Sequence, residues 1–144
     1  MAFHNELGKW GEDIAAQYLR EKGWYIRHRD WHYGHRDLDI VAIDAEASIL
    51  LVVEVKTRTT EMWGQPDEAI DLEKQNNILK ATAAYQRECY LSHLDVRFDT
   101  ISIVGTKENY KLEHKEDAFD ASSSFFYNEQ RRKRSYYKRR PGMW

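Results

Sequence analysis

The sequence predicts an α/β domain whose central sheet is covered by helices on both sides. Three observations lead there. Apolar residues recur at helical spacing over residues 5–22 and 72–90. Runs rich in β-branched and aromatic residues lie between and after them. The run ILLVVEVKTR, from Ile49, is apolar on both of its faces, as a central strand must be when helices cover it from either side. A length of 144 residues suits one domain. A hydrophobic content of 42% and an aromatic content of 13% can build a core without disulfides or structural metal.

The elements follow in order. In residues 5–22, Leu7, Trp10, Gly11, Ile14, Ala15, Tyr18 and Leu19 form one apolar stripe. Asn5 is the expected N-cap and Gly23 the C-cap. Gly8 and Gly11 weaken a helix, which suggests close approach of another element. Glu12 stands at the edge of the stripe. Residues 24–31 read as a strand and Tyr33–Arg36 as a turn. A second strand runs from Leu38 to Asp44, and a third from Ile49 to Arg58. A loop with Gly64 and Pro66 leads to the second helix, residues 72–90, capped near Asp71. Residues 95–104 form a fourth strand and 110–114 a short fifth; 117–126 are a loop or helical turn.

The second and third strands carry charge where apolar residues are expected. Asp39 lies inside DLDIVAID, and Glu54 and Lys56 inside ILLVVEVKTR. Buried charge is unfavourable unless it is paired or binds a metal. Glu54 and Lys56 are two residues apart and share one face with Leu50 and Val52. Asp39 and Glu54, with the backbone carbonyl of Val55, supply the oxygens that Mg²⁺ or Mn²⁺ takes from a protein. Phosphodiester hydrolysis needs an activated water, neutralised phosphate charge and a stabilised leaving oxygen, and such a metal can serve all three. Lys56 could position the water or stabilise negative charge, and Glu12 could hold a second metal or orient the water. Lys74 and Gln75 could contact the phosphate or the edge of the site.

Structural alternatives stand beside each reading. Asp39 and Glu54 could be a structural pair with Lys56 or Arg36, and Glu12 a solvated acid. Asp37 reads as a turn or strand-edge residue, Lys74 and Gln75 as helix-surface residues, Asp99 as a structural contact and Cys89 as a buried helix residue. His28, His32 and His35, with Arg27, Arg29 and Arg36, read as a basic edge strand that touches nucleic acid, or as a solvated face. No ligand cluster at zinc spacing accompanies them.

The pattern resembles the YraN-like family of bacterial proteins, in the restriction-endonuclease-like PD-(D/E)XK superfamily near the archaeal Holliday-junction resolvases. The matching segments are LGKWGEDIAAQYLREKGWYI from Leu7, DLDIVAID, LLVVEVKTRT from Leu50, GQPDEAIDLEKQNNILKATAAY from Gly64 and DVRFDTISI from Asp95. They cover most of residues 5–119. The resemblance implies a mixed central sheet flanked by helices, metal-binding carboxylates at Asp39 and Glu54, a catalytic lysine at Lys56 and a helix glutamate at Glu12. The family has Gly-Glu two residues before the strand Asp; here Asp37 fills the Glu position, and His35 and Arg36 are also unusual. The implied activity is metal-dependent endonuclease cleavage of DNA, branched or structured DNA included. The alternatives are a non-catalytic nucleic-acid-binding protein on the same fold, or an adaptor recruited through its basic tail. Resolvases act as symmetric dimers, so the resemblance allows a homodimer, although no residue here specifies one.

Charge is unevenly spread. Residues 128–144 carry Arg131, Arg132, Lys133, Arg134, Lys138, Arg139 and Arg140 against one acid, Glu129, a net charge of +6. The rest of the chain is left at −8, since the whole chain is −2. Residues 1–127 are therefore read as the folded domain and 128–144 as a basic aromatic extension. That extension could follow a phosphate backbone, with Tyr136, Tyr137 and Trp144 to stack on bases, or could merely solubilise. One cysteine, no secretory pattern at the start and no apolar run of membrane length lead to the expectation of a cytoplasmic protein without membrane contact.

Overall fold

A computed structural model describes residues 2–59 and 70–119. The chain runs α1 (Ala2–Glu21), β1 (Tyr25–Tyr33), β2 (Arg36–Ile43), β3 (Ile49–Arg58), α2 (Leu72–Glu88), β4 (Asp95–Gly105) and β5 (Tyr110–Lys115). The strands form a five-stranded sheet in the order β1-β2-β3-β4-β5. β3 and β4 are parallel and every other neighbouring pair is antiparallel. The sheet is therefore mixed, and α2 is the crossover that the parallel pair requires. Two helices flanking one such sheet are the restriction-endonuclease-like α/β architecture.

Local chemistry fixes the ends. α1 continues through Asn5 to Ala2, so the expected cap at Asn5 is replaced by further helix. At the other end Gly23 has φ 98°; its amide bonds to Arg20 O and that of Trp24 to Leu19 O, closing a Schellman turn. The loop Gly34–His35 joins β1 to β2 as a two-residue hairpin, with Tyr33 opposite Arg36. Asp44 closes the β2–β3 turn by accepting from the amides of Ser48 and Ile49. α2 begins with the Asp71 carboxylate accepting from Lys74 N at 2.8 Å. It ends two residues before the sequence predicts, because Tyr90 takes a left-handed conformation (φ 57°) and turns the chain. No glycine marks that stop.

The core has two halves, one on each side of the sheet. α2 buries Ile78, Leu79, Ala81 and Tyr85 against Leu38, Val41, Leu50, Val52 and Phe98. α1 buries Ala15, Ala16 and Leu19 against Ile40, Ala42, Leu51, Val53, Ile101 and Ile103. β3 thus alternates between two apolar layers, as predicted. On the α1 side Asp99 is fully buried. It accepts from Arg97 Nε and Nη2, from Asp117 N and, in a 2.7 Å contact, bonds His114 Nε2. His114 Nδ1 in turn meets the Tyr18 hydroxyl at 3.0 Å. Asp99 is the structural contact expected of it, tying α1, β4 and β5 together. Its many donors hold its pKa below the usual carboxylate range despite burial.

Of the two helix glycines, only Gly11 permits close approach. A Cβ at Gly11 would lie 2.0 Å from Thr57 Oγ1, whereas one at Gly8 would meet nothing within 4 Å. Gly11→Ala is expected to destabilise by about 1–3 kcal/mol through overpacking, although alanine is the better helix former. Urea unfolding of Gly11→Ala alone and with Thr57→Ala checks this. A stabilised single variant, or one not rescued by the second change, contradicts the contact.

Candidate functional site

The β2–β3 ladder runs from Ile43↔Leu50 to Ile40↔Val53 and stops. Continuation would place Asp39 opposite Glu54. Instead the strands fork, and Asp39 Oδ2 accepts from the Val55 amide at 2.8 Å. A side chain has taken the place of the backbone acceptor, so the buried amide remains satisfied. β2 also breaks its alternation at this point. Leu38 and Val41 pack toward α2, while Ile40 and Ala42 pack toward α1. On the neighbouring strand Asp30 has φ 50° and drops out between the pairs Arg29↔Ile40 and Trp31↔Leu38. Asp39 thus stands where the sheet opens, within reach of both of its faces.

Glu54 and Asp39 are in hydrogen-bonding contact through their carboxyl groups. Two carboxylates so close cannot both ionise freely. Burial and then the Asp39 charge push Glu54 up to about 8. Burial likewise raises Asp39, against the Val55 hydrogen bond. Glu54 is 12% exposed, and its partner toward solvent is Lys74 Nζ at 3.1 Å. Glu12 reaches the same field from α1. Burial and the Asp39 charge raise it to about 7, with Arg29 pulling the other way. Lys56 follows Glu54 by two residues and shares its face. Their register partners on β4, Ser102 and Thr100, are buried polar residues.

Asp39, Glu54 and Glu12 therefore meet around the fork, Val55 contributes its amide to Asp39, and Lys56 lies two residues beyond Glu54 on β3. Lys74, which the sequence offers both as a contact at the edge of the site and as a helix-surface residue, meets Glu54 with its side chain 47% exposed. It is a cation in the first turn of a helix, where the macrodipole disfavours positive charge. Gln75, its neighbour, is turned away and donates to Ile70 O at 2.7 Å. Arg36 Nε donates to Asn77 Oδ1 at 3.2 Å.

The basic strand β1 is an edge strand, but much of its charge is engaged within the fold. Arg27 and His28 both bond the Tyr85 hydroxyl, at 3.0 and 2.6 Å. Arg29 pairs with Asp13 at 2.7 Å. His32 lies between Asp37 and Asp30, at 2.5 and 3.4 Å. β1 is thus a basic edge strand whose cations are also held by contacts within the fold. Among the described residues no group of three or more His, Cys, Asp and Glu side chains is placed to hold a metal. The Asp39–Glu54 pair is a two-carboxylate set, as many as Mg²⁺ commonly takes. Residues 60–69 and the cations of 128–144 lie outside the described residues. Among the described residues no helix is long and apolar enough to cross a membrane.

A restriction-endonuclease-like domain with a dicarboxylate at the fork of its second and third strands is the class that fold and geometry define. The chain belongs to the uncharacterised protein family UPF0102, whose profile matches residues 11–103. A UPF0102 protein of Bacteroides thetaiotaomicron is 46% identical over 119 residues, covering 83% of this chain and 96% of the relative. One from Phocaeicola vulgatus is 48% identical over the same shares. UPF0102 protein FP2501 of Flavobacterium psychrophilum is 38% identical over 83% of this chain and 98% of its own.

The raised acids make stability depend on pH. The folded protein keeps a proton on the Asp39–Glu54 pair up to about pH 8, whereas an unfolded Glu releases it near 4.5. The native state then binds more protons than the unfolded state across that window, so stability falls as pH rises from about 5 to 8. Each differentially bound proton gives a slope of about −1.4 kcal/mol per pH unit. Denaturant titrations in chelator should show the decline, and Glu54→Gln should flatten it. Equal slopes in the two proteins would contradict the shared proton.

Proposed function

We propose that this protein is a divalent-metal-dependent endonuclease acting on DNA. The observation that carries the reading is the pair of part-buried carboxyl groups in mutual contact, one of them 3.1 Å from Lys74, at a fork where the sheet hydrogen bonding has been given up. A protein needing only a stable sheet would be as well served by apolar residues there. The donor set fits Mg²⁺ or Mn²⁺: hard oxygens, two acids and a neighbouring backbone. Asp39, Glu54 and the Val55 carbonyl would hold it, and it would supply Lewis acidity and a more acidic bound water.

The chain's own residues divide the remaining work. Lys56, on the Glu54 face, orients the attacking water or offsets charge on the phosphate. Glu12, with a pKa near 7, is suited to accept a proton at neutral pH. Its position on α1 lets it approach the fork from the side opposite α2. The resemblance to resolvases favours branched or structured DNA and a cytoplasmic setting. The cations Arg131, Arg132, Lys133, Arg134, Lys138, Arg139 and Arg140 supply sequence-independent attraction to phosphate.

Purified protein with Mg²⁺ or Mn²⁺ should nick or cut a panel of duplex, flap and junction DNAs. Asp39→Ala and Lys56→Ala should each lose activity by roughly 10²-fold or more, the scale of losing a charge-stabilising group. Retained cleavage in Asp39→Ala would sink the site. Removing residues 128–144 should weaken DNA binding and flatten the dependence of log K on log salt, since each phosphate contact contributes about −0.9 to that slope. An unchanged slope would leave the tail as a solubilising extension.

A further inference from the structure

Lys74 occupies the third position of α2, counted from the Asp71 cap, where a cation opposes the helix dipole. Its ammonium is 3.1 Å from Glu54, yet its side chain is 47% exposed and its stem is flexible. It therefore answers the carboxyl pair electrostatically without being locked into the core. A divalent ion that takes both carboxylates would occupy the place Lys74 holds beside Glu54. The released ammonium, next to that dication and the positive end of α2, is repelled by both and needs an anion.

We propose that Lys74 is a tethered counter-cation: it holds Glu54 until a divalent ion takes the pair, then moves to the substrate phosphate, so that phosphate binding at the fork depends on metal. This rests on the metal-dependent reading above. Lys74 becomes a binding residue distinct from Lys56, which stays on the strand. Removing it has opposite effects on the two ligands. The ion loses a competitor and a like charge and binds more tightly, while the phosphate loses a partner and binds less.

Calorimetry of Mn²⁺ with the full chain and with Lys74→Gln tests the first arm. The variant should bind Mn²⁺ roughly tenfold more tightly, the scale of one partly screened charge interaction. Fluorescence anisotropy of a labelled DNA duplex tests the second. In Ca²⁺ the variant should bind more weakly by a similar factor; in chelator it should match the unaltered protein; and Lys74→Arg should restore the Ca²⁺ result. Unchanged or weaker Mn²⁺ binding in Lys74→Gln, or an equal loss of DNA affinity with and without Ca²⁺, overturns the inference and leaves the nuclease reading standing. An unaltered protein that takes up no Mn²⁺ overturns both.

Discussion

The hydrogen bond from the Val55 amide to Asp39 is the interaction on which the arrangement depends. A buried strand amide must find an acceptor. Where β2 and β3 part, the acceptor is a carboxylate, and that single substitution joins fold to chemistry. It ends the ladder at Ile40↔Val53 without leaving an orphan donor. It also fixes the position of Asp39 relative to β3, and so brings it against Glu54 on the same strand. Had the ladder continued, a backbone carbonyl would have filled the place that the Asp39 carboxylate takes.

The two halves of the core make this fork sustainable. β3 is apolar on both faces from Leu50 to Val53, and both helices bury side chains against it. Two closely placed carboxyl groups are unfavourable in such surroundings, which is why both are pushed toward their neutral forms. The packing on either side holds them there. α1 comes close because Gly11 offers no side chain to Thr57, and the same docking brings Glu12 into the field of Asp39. The Asp99, His114 and Tyr18 contacts fasten the far side of α1 to β4 and β5. A buried acid there has the opposite balance: its donors outweigh desolvation, and its pKa is lowered. Two buried aspartates in one sheet are thus set apart by their partners, one satisfied by cations and amides, the other left short of charge.

Much of this was legible in the sequence because its local signals agree with the fold. β3 runs from Ile49 to Arg58 in both readings, since its apolar run is uninterrupted and bounded by turns. Asp39, Glu54 and Lys56 were conspicuous because they are charged where the strand period demands apolar residues. Other features depend on tertiary geometry that no local pattern encodes. The left-handed Tyr90 ends α2 without the glycine that would announce it. Asn5 has the chemistry of a cap but lies inside the helix. The cations of β1 look free in sequence; Asp13 and Tyr85, far away in the chain, engage Arg27, His28 and Arg29. The sequence leaves the role of Lys74 open for the same reason, because its partner lies on a strand twenty positions earlier.

The balance of charge at the fork differs from that of a simple ion pair. A structural ion pair joins opposite charges in comparable number and gains from a closed set of hydrogen bonds. Here two acids face each other, burial and then Asp39 raise a third, Glu12, and Lys74, which meets Glu54, is half in solvent. Lys74 stands in the first turn of a helix whose dipole favours anions. On the proposed reading, the acid pair would meet the dication, and the lysine at the helix end the phosphate, of a metal-bound phosphodiester.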